Sequence, residues 1–264
     1  MNRNLAIAAS VLVLLPLLGC SKTNKVEIDP GEDAGNNDQS LPECPAVSAP
    51  VSGKGPAMVH VGRLDGTCFW MDETEVTRGQ YAAFLATSPA DGANIAACQG
   101  KNPDFAPLQQ VDLAQAQMPI SGIDWCDAAS FCAWAGKALC GTYTVNGAAV
   151  SAFQSTCTDG DNGEFNYEAL KDGSRCNGNG ATATVEVRSM QACVTPTLVF
   201  DLVGNVQEWT SECEGAECVA RGGSYLSTGE SWGCKARRSF PKDFEAADLG
   251  FRCCAEGSTP DAGQ

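Results

Sequence analysis

Fifteen cysteines against one histidine in 264 residues limit what this chain can fold into more than any other feature. Cysteines in such number are kept either as disulfides in an oxidising compartment or as metal ligands. The second route is poorly served here. No pair of CxxC motifs occurs, and the sole histidine, His60, lies in the apolar run Met58-Val59-His60-Val61. That pattern predicts a half-buried strand residue. Histidine-based zinc sites, facial iron triads and Cys-His or Ser-His-Asp centres would all depend on this one side chain. An exported protein held by disulfides is the expectation.

The N-terminus agrees. MNRNLAIAASVLVLLPLLGC opens with Arg3, runs apolar from Leu5 to Leu18 and ends in Gly19-Cys20. The run is short for a membrane span. A small residue before cysteine at the end of a leader resembles a bacterial lipoprotein signal. That implies removal of residues 1–19 and lipid on the sulfur and amine of Cys20; an ordinary secretory signal is the alternative. The expected location is the cell envelope, with the membrane reached through the lipid. Ser21 resembles outer-membrane sorting. With Cys20 set aside, fourteen of the fifteen cysteines remain, enough for seven disulfides. A net charge of −15 argues against a nucleic-acid partner, because phosphate binding needs a cationic surface. It is compatible with Ca²⁺.

Residues 20–55 are rich in Pro, Gly, Asn, Asp and Ser with no apolar period. They read as a disordered acidic linker whose one anchor is Cys44. Globular sequence spans 56–255, and 256–264 is a loose tail. Within the domain, Thr77 followed by Gln80 forms a capping box, and Tyr81, Phe84 and Leu85 follow at helical spacing. A second helix starts at Asp124, carries Ala128, Phe131, Cys132 and Ala135 on one face, and stops at Gly136. The rest alternates short strands with long loops, including the Gly/Asn cluster CNGNGAT. This is not a βαβ alternation. An irregular, loop-rich α+β domain held by disulfides is predicted.

Four stretches, taken in order, resemble the formylglycine-generating enzyme family, also called the sulfatase-modifying factor domain: MDETEVTRGQYAAFL (71–85), MPISGIDWCDAASFCAWAGKAL (118–139), DLVGNVQEWTSE (201–212), and ARGGSY (220–225) with DLGFRC (248–253). The resemblance implies an irregular fold related to C-type lectins. By itself each stretch also has a plain structural reading. Glu75-Val76-Thr77 is a strand end and a helix cap. Trp125, Trp134 and Trp209 are large core bodies. Gly222-Gly223 permits tight packing, and Arg252 is a buried, hydrogen-bonded arginine.

The resemblance implies a structural Ca²⁺ held by Asp201 and Glu208 side chains and the carbonyls of Gly204 and Val206, oxygen donors that suit a hard cation. It further implies disulfides Cys132–Cys253 and Cys157–Cys234. Cys176–Cys193 is a further local bond, while Cys44, Cys68, Cys98, Cys126, Cys140 and Cys254 stay unassigned. Active members oxidise a client sulfatase cysteine with copper and O₂, using two free thiols five apart just after the GGS motif. Soft thiolates suit Cu(I). Here Tyr225 to Trp232 holds no cysteine. Copper is therefore not expected, and no catalytic residue is assigned. Cys213 and Cys218 have the right spacing but precede RGGS. They are either a relocated copper pair or, as preferred, a hairpin staple. Two functions follow: a non-catalytic binding or interaction module for a protein, peptide or glycan, or a formylglycine-generating oxidase using a non-standard thiol pair. An iron-dependent sulfoxide synthase on this fold needs a histidine cluster that this chain lacks.

Overall fold

The computed structural model describes residues 40–46, 48–49, 53–89, 95, 98, 105–108, 111–160 and 173–257. Cys20, the leader and residues 258–264 lie outside them. In chain order the strands and helices are β1 (Met58–Gly62), β2 (Cys68–Asp72), α1 (Arg78–Leu85), α2 (Trp125–Trp134), β3 (Ala138–Leu139), β4 (Thr142–Val145), β5 (Ala148–Ser151) and α3 (Ala152–Cys157). Then come β6 (Gln207–Glu214), β7 (Glu217–Gly222), β8 (Gly233–Pro241), β9 (Leu249–Phe251) and β10 (Cys253–Glu256). The mixture of short strands, few helices and long loops is the α+β architecture expected from the sequence.

Local chemistry explains the helix starts. Thr77 accepts from the Gln80 amide while the Gln80 side chain returns to the Thr77 amide, closing the capping box. Asp124 accepts from the amides of Cys126 and Asp127 at 2.7 and 3.0 Å. Gly136, at φ 74°, ends α2. The Asn146-Gly147 pair, both at positive φ, turns β4 into β5.

The strands form two four-stranded sheets, in the orders β1-β2-β10-β3 and β8-β7-β6-β9, beside the β4–β5 hairpin. In the second sheet β9 runs parallel to β6, while its other neighbours are antiparallel. Only Arg252 separates β9 from β10. The chain therefore leaves one sheet and enters the other at a single buried arginine. Successive side chains of β10 point to opposite faces. Cys253 joins the core built on α1 and α2, with Tyr81, Phe84, Phe131 and Phe251, and Cys254 joins the one holding Val61, Phe69 and Phe153. Each such apolar side chain stabilises the fold by about 1.5–3 kcal/mol.

Trp125 and Trp209 lie buried with their indole N–H groups donating to Thr210 and Ile123 carbonyls, and Trp134 is half-buried. Where β2 meets β10, the buried Lys137 ammonium pairs with Asp72 and also donates to Pro56 O at 3.0 Å.

The ordered domain begins earlier than residue 56. Leu41 is buried in the second core, and Cys44 is bonded to Cys68. Pro42 lies so close to β1 that a Cβ on Gly62 would meet its carbonyl at 2.2 Å. A Pro/Gly-rich composition hid this docking, because one leucine and one disulfide suffice to hold it. Among the described residues no helix is long and apolar enough to cross a membrane.

Candidate functional site

The segment 201–208 is shaped by backbone that few residues adopt. Asp201, Gly204 and Asn205 have φ of 58°, 84° and 54°. A Cβ at Gly204 would fall 2.3 Å from Asn177 O, so only glycine fits. Asn205 is fully engaged with the preceding loop. Its Oδ1 accepts from Val185 N and Asn177 Nδ2, and its Nδ2 donates to Val185 O. Asp201 accepts from Arg188 N at 2.6 Å through Oδ2.

Glu208 has a different partner. Both of its oxygens accept from Arg252, at 2.7 Å each, in a bidentate pair whose two side chains are 1% exposed. Arg252 also donates to Asp72 O and Phe200 O at 3.2 and 2.9 Å. Burial opposes its charge, but the carboxylates of Glu208, Glu75 and Asp201 outweigh burial and hold the guanidinium more firmly protonated than usual.

Sequence reading missed Glu75. It is wholly buried, and neither oxygen has a hydrogen-bond partner among the described residues. Burial, then the charge of Asp201, pushes its carboxyl well above the ordinary range. Burial likewise raises Asp201 to about 6, against the pull of the Arg188 amide, and raises Glu208 despite Arg252. Three buried carboxylates thus share one guanidinium. The negative excess must be met by protons or by a cation. Asp201 and the unbonded Glu75 fit a hard cation; Glu208 would have to share its oxygens with Arg252.

The stretch after Gly222-Gly223 is built locally. Cβ atoms at these two glycines would meet Leu202 O at 2.5 Å and Ser231 O at 2.3 Å, so both positions demand glycine as the chain doubles back. Ser224, fully buried, donates to Asp248 at 2.6 Å. Ser227 Oγ accepts from Ser224 N, and Ser231 Oγ accepts from Thr228 N and donates to Thr228 O. Trp232 then turns inward against Gly178, where a Cβ would fall 2.1 Å from the indole. Hydroxyls, the exposed Leu226 and Glu230, and one buried indole occupy this stretch.

Every described cysteine is in a disulfide. Cys132 is bonded to Cys253, Cys157 to Cys234, Cys176 to Cys193 and Cys213 to Cys218. The six left unassigned pair as Cys44–Cys68, Cys98–Cys126 and Cys140–Cys254. Cys213 and Cys218 sit directly opposite each other on β6 and β7, with Cα atoms 4.0 Å apart.

Three cavities, of about 530, 560 and 330 Å³, surround the β4–β5 hairpin, and Thr142 lines all of them. Arg63, Lys137 and Glu256 line the first, and Glu212 lines the other two. Arg221, of the RGGS motif, lines the smallest. It forms a bidentate pair with Glu212 at 2.7 Å and donates to Gln154 Oε1. Burial pushes Glu212 up, but Arg221 and Ser151 overcome it and hold the carboxyl below its ordinary range. None of these three cavities is lined by 201–208 or 223–232.

Residues 57–256 match the sulfatase-modifying factor enzyme 1-like domain family. The formylglycine-generating enzymes of Mus musculus and Bos taurus are each 27% identical over 204 and 203 residues, covering 64% of this chain and 50% of theirs. The chain therefore spans about half the length of the curated relatives it matches. PvdO from Pseudomonas aeruginosa superposes with a TM-score of 0.53 at 17% identity, covering 72% of this chain and 81% of PvdO. CarF gives 0.50 at 19%, covering 79% and 99%. At these identities the structural likeness concerns the fold alone. With a family match over most of its length and the four motif stretches gathered into one domain, the chain belongs to the formylglycine-generating-enzyme-like, sulfatase-modifying factor family.

Proposed function

We propose that this protein is a lipid-anchored cell-envelope binding module that keeps the family fold without its oxidase centre. One observation carries the reading: all fourteen described cysteines are paired in seven disulfides. Cu(I) needs free thiolates, and the stretch after Gly222-Gly223 offers hydroxyls. The leader pattern ending at Cys20 supports export and lipid attachment. The surface around Thr142, where the three cavities carry Arg63, Lys137, Glu212 and Glu256, is the one we assign to a protein, peptide or glycan ligand. To test it, the protein is incubated with copper and a peptide carrying the C-x-P-x-R sequence of sulfatase clients. No aldehyde above background is expected; aldehyde formation overturns the proposal.

The curated relatives support a second reading, a formylglycine-generating oxidase. It requires Cys213, which is exposed, and Cys218, which is buried, to open and take copper on the β6–β7 hairpin, away from the family position.

A structural Ca²⁺ remains part of the proposal. Asp201 with the carbonyls of Gly204 and Val206 would hold it, Glu208 would share an oxygen with Arg252, and the charge of Glu75 would be relieved. Calorimetric titration of the chelated protein is expected to show uptake of one Ca²⁺. Absence of heat at every Ca²⁺ concentration removes the ion and leaves protonation as the remedy for the charge excess.

A further inference from the structure

The chain's only histidine lies beside one of its disulfides. β1 and β2 pair with Gly62 opposite Cys68 and His60 opposite Trp70, so His60, Cys68 and Trp70 share one face of the hairpin. The His60 ring stacks on Trp70 with centroids 4.4 Å apart. The Cys44–Cys68 bond brings the docked N-terminal segment over this face. A ring nitrogen of His60 and both sulfurs then lie within 4.8 Å of one another, and all three residues are only half-buried. His60 Nδ1 is 2.9 Å from Pro45 O. A carbonyl only accepts, so Nδ1 carries the proton and the lone pair is on Nε2. Zinc-binding histidines use this arrangement, in which one ring nitrogen donates to a backbone carbonyl and fixes the tautomer.

We propose that Cys44, Cys68 and His60 form a redox-gated zinc site. A dithiol reductant opens the disulfide. Two electrons and two protons pass to Cys44 and Cys68, which become thiols, while the reductant closes its own disulfide. Zn²⁺ then displaces both thiol protons and binds two thiolates and the imidazole. A tetrahedral zinc site sets such donor atoms about 3.5–3.8 Å apart, a spacing the opened pair reaches with small side-chain movement. The fourth position stays open to water or another ligand. The exchange replaces a covalent clamp at Cys44 with a coordinate one, so residues 41–46 stay docked in both redox states.

Access favours this disulfide over the five whose two cysteines are both buried. The other six each bury at least one sulfur-bearing residue, and only Cys213–Cys218 exposes the second.

The test uses the full oxidised chain and Co²⁺ as a visible stand-in for Zn²⁺. The protein is treated stepwise with a phosphine reductant, and each step is alkylated and peptide-mapped. Cys44 and Cys68 are expected to be modified before the five disulfides whose cysteines are both buried, with the circular-dichroism spectrum of the fold retained. One equivalent of Co²⁺ should then give thiolate charge-transfer and tetrahedral d–d bands that Zn²⁺ removes. His60→Ala should weaken Co²⁺ binding by more than about 100-fold, beyond what loss of a supporting residue costs. Cys44→Ser should abolish it. If Cys44→Ser fails to fold, the His60→Ala comparison decides. Opening of any of those five disulfides first, no bands after this one opens, or equal binding by His60→Ala overturns the proposal.

Discussion

The charged centre at Arg252 and the turn at 223–232 both carry motif residues, yet they are held in opposite ways. Arg252 bonds Asp72, Phe200 and Glu208, which are 180, 52 and 44 residues away. The turn closes mostly on itself through Ser224–Ser227 and Thr228–Ser231 contacts three residues apart, with longer bonds from Ser224 to Asp248 and from the Tyr225 amide to Asn205 O. The centre is fixed by the whole fold and in turn fixes it, because two sheets meet there. The turn needs only its glycines and an inward Trp232. A chain can therefore change the groups that this turn displays, and with them its chemistry, while the motifs at the centre keep the fold recognisable.

Replacing Arg252 with Met should have the largest effect. It leaves Glu208, Asp201 and Glu75 buried without their cation, a loss of about 3–5 kcal/mol read from the urea midpoint. A loss under about 1 kcal/mol would break the contrast at its strong end. The Cys132→Ser/Cys253→Ser variant comes next. It opens a bridge of sequence separation 121, and a cost of about 2–5 kcal/mol is expected in the same assay.

Asp72 supplies a pH test. Burial, only partly offset by Lys137, raises its carboxyl from 3.8 to about 6. The folded protein thus holds a proton that the unfolded chain releases. The contribution of this group to stability is full below the unfolded value and is lost as pH rises through about 6. Its size is at most about 3 kcal/mol. Unfolding free energy measured from pH 4 to 7 should carry this downward slope, to which the raised Asp201 also contributes, and Asp72→Asn should make it shallower; an unchanged slope in the variant removes Asp72 as a source.

Smaller effects belong to the locally built parts. The Cys213→Ser/Cys218→Ser variant should cost about 2 kcal/mol or less, because its loop is short. Ser227→Ala, losing one acceptor for the Ser224 amide, should cost within about 1 kcal/mol. A larger loss for Ser227→Ala than for Arg252→Met would reverse the comparison.

The sequence disclosed what short-range chemistry decides. Thr77 with Gln80, and Asp124 before an apolar face, marked both main helices. Motif resemblance marked the family, and with it the Cys132–Cys253 and Cys157–Cys234 pairs. Pairs such as Cys44–Cys68 and Cys140–Cys254 were not legible, because they depend on where β10 enters the first sheet and on the docking of Leu41. Glu75 read as a strand end because its significance comes from Asp201, Glu208 and Arg252 converging on it. The cavities that meet at Thr142 draw Arg63, Lys137, Glu212 and Glu256 from separate parts of the chain, with no shared local pattern.

The domain is proposed to keep no thiol for copper. The most direct measurement is alkylation of the unfolded but unreduced protein, purified from an oxidising compartment, with peptide mapping of every cysteine from Cys44 to Cys254. None of the fourteen should be modified. Two stoichiometrically modified cysteines, at Cys213 and Cys218 or at any other pair, would contradict the claim and restore an oxidase centre to this fold.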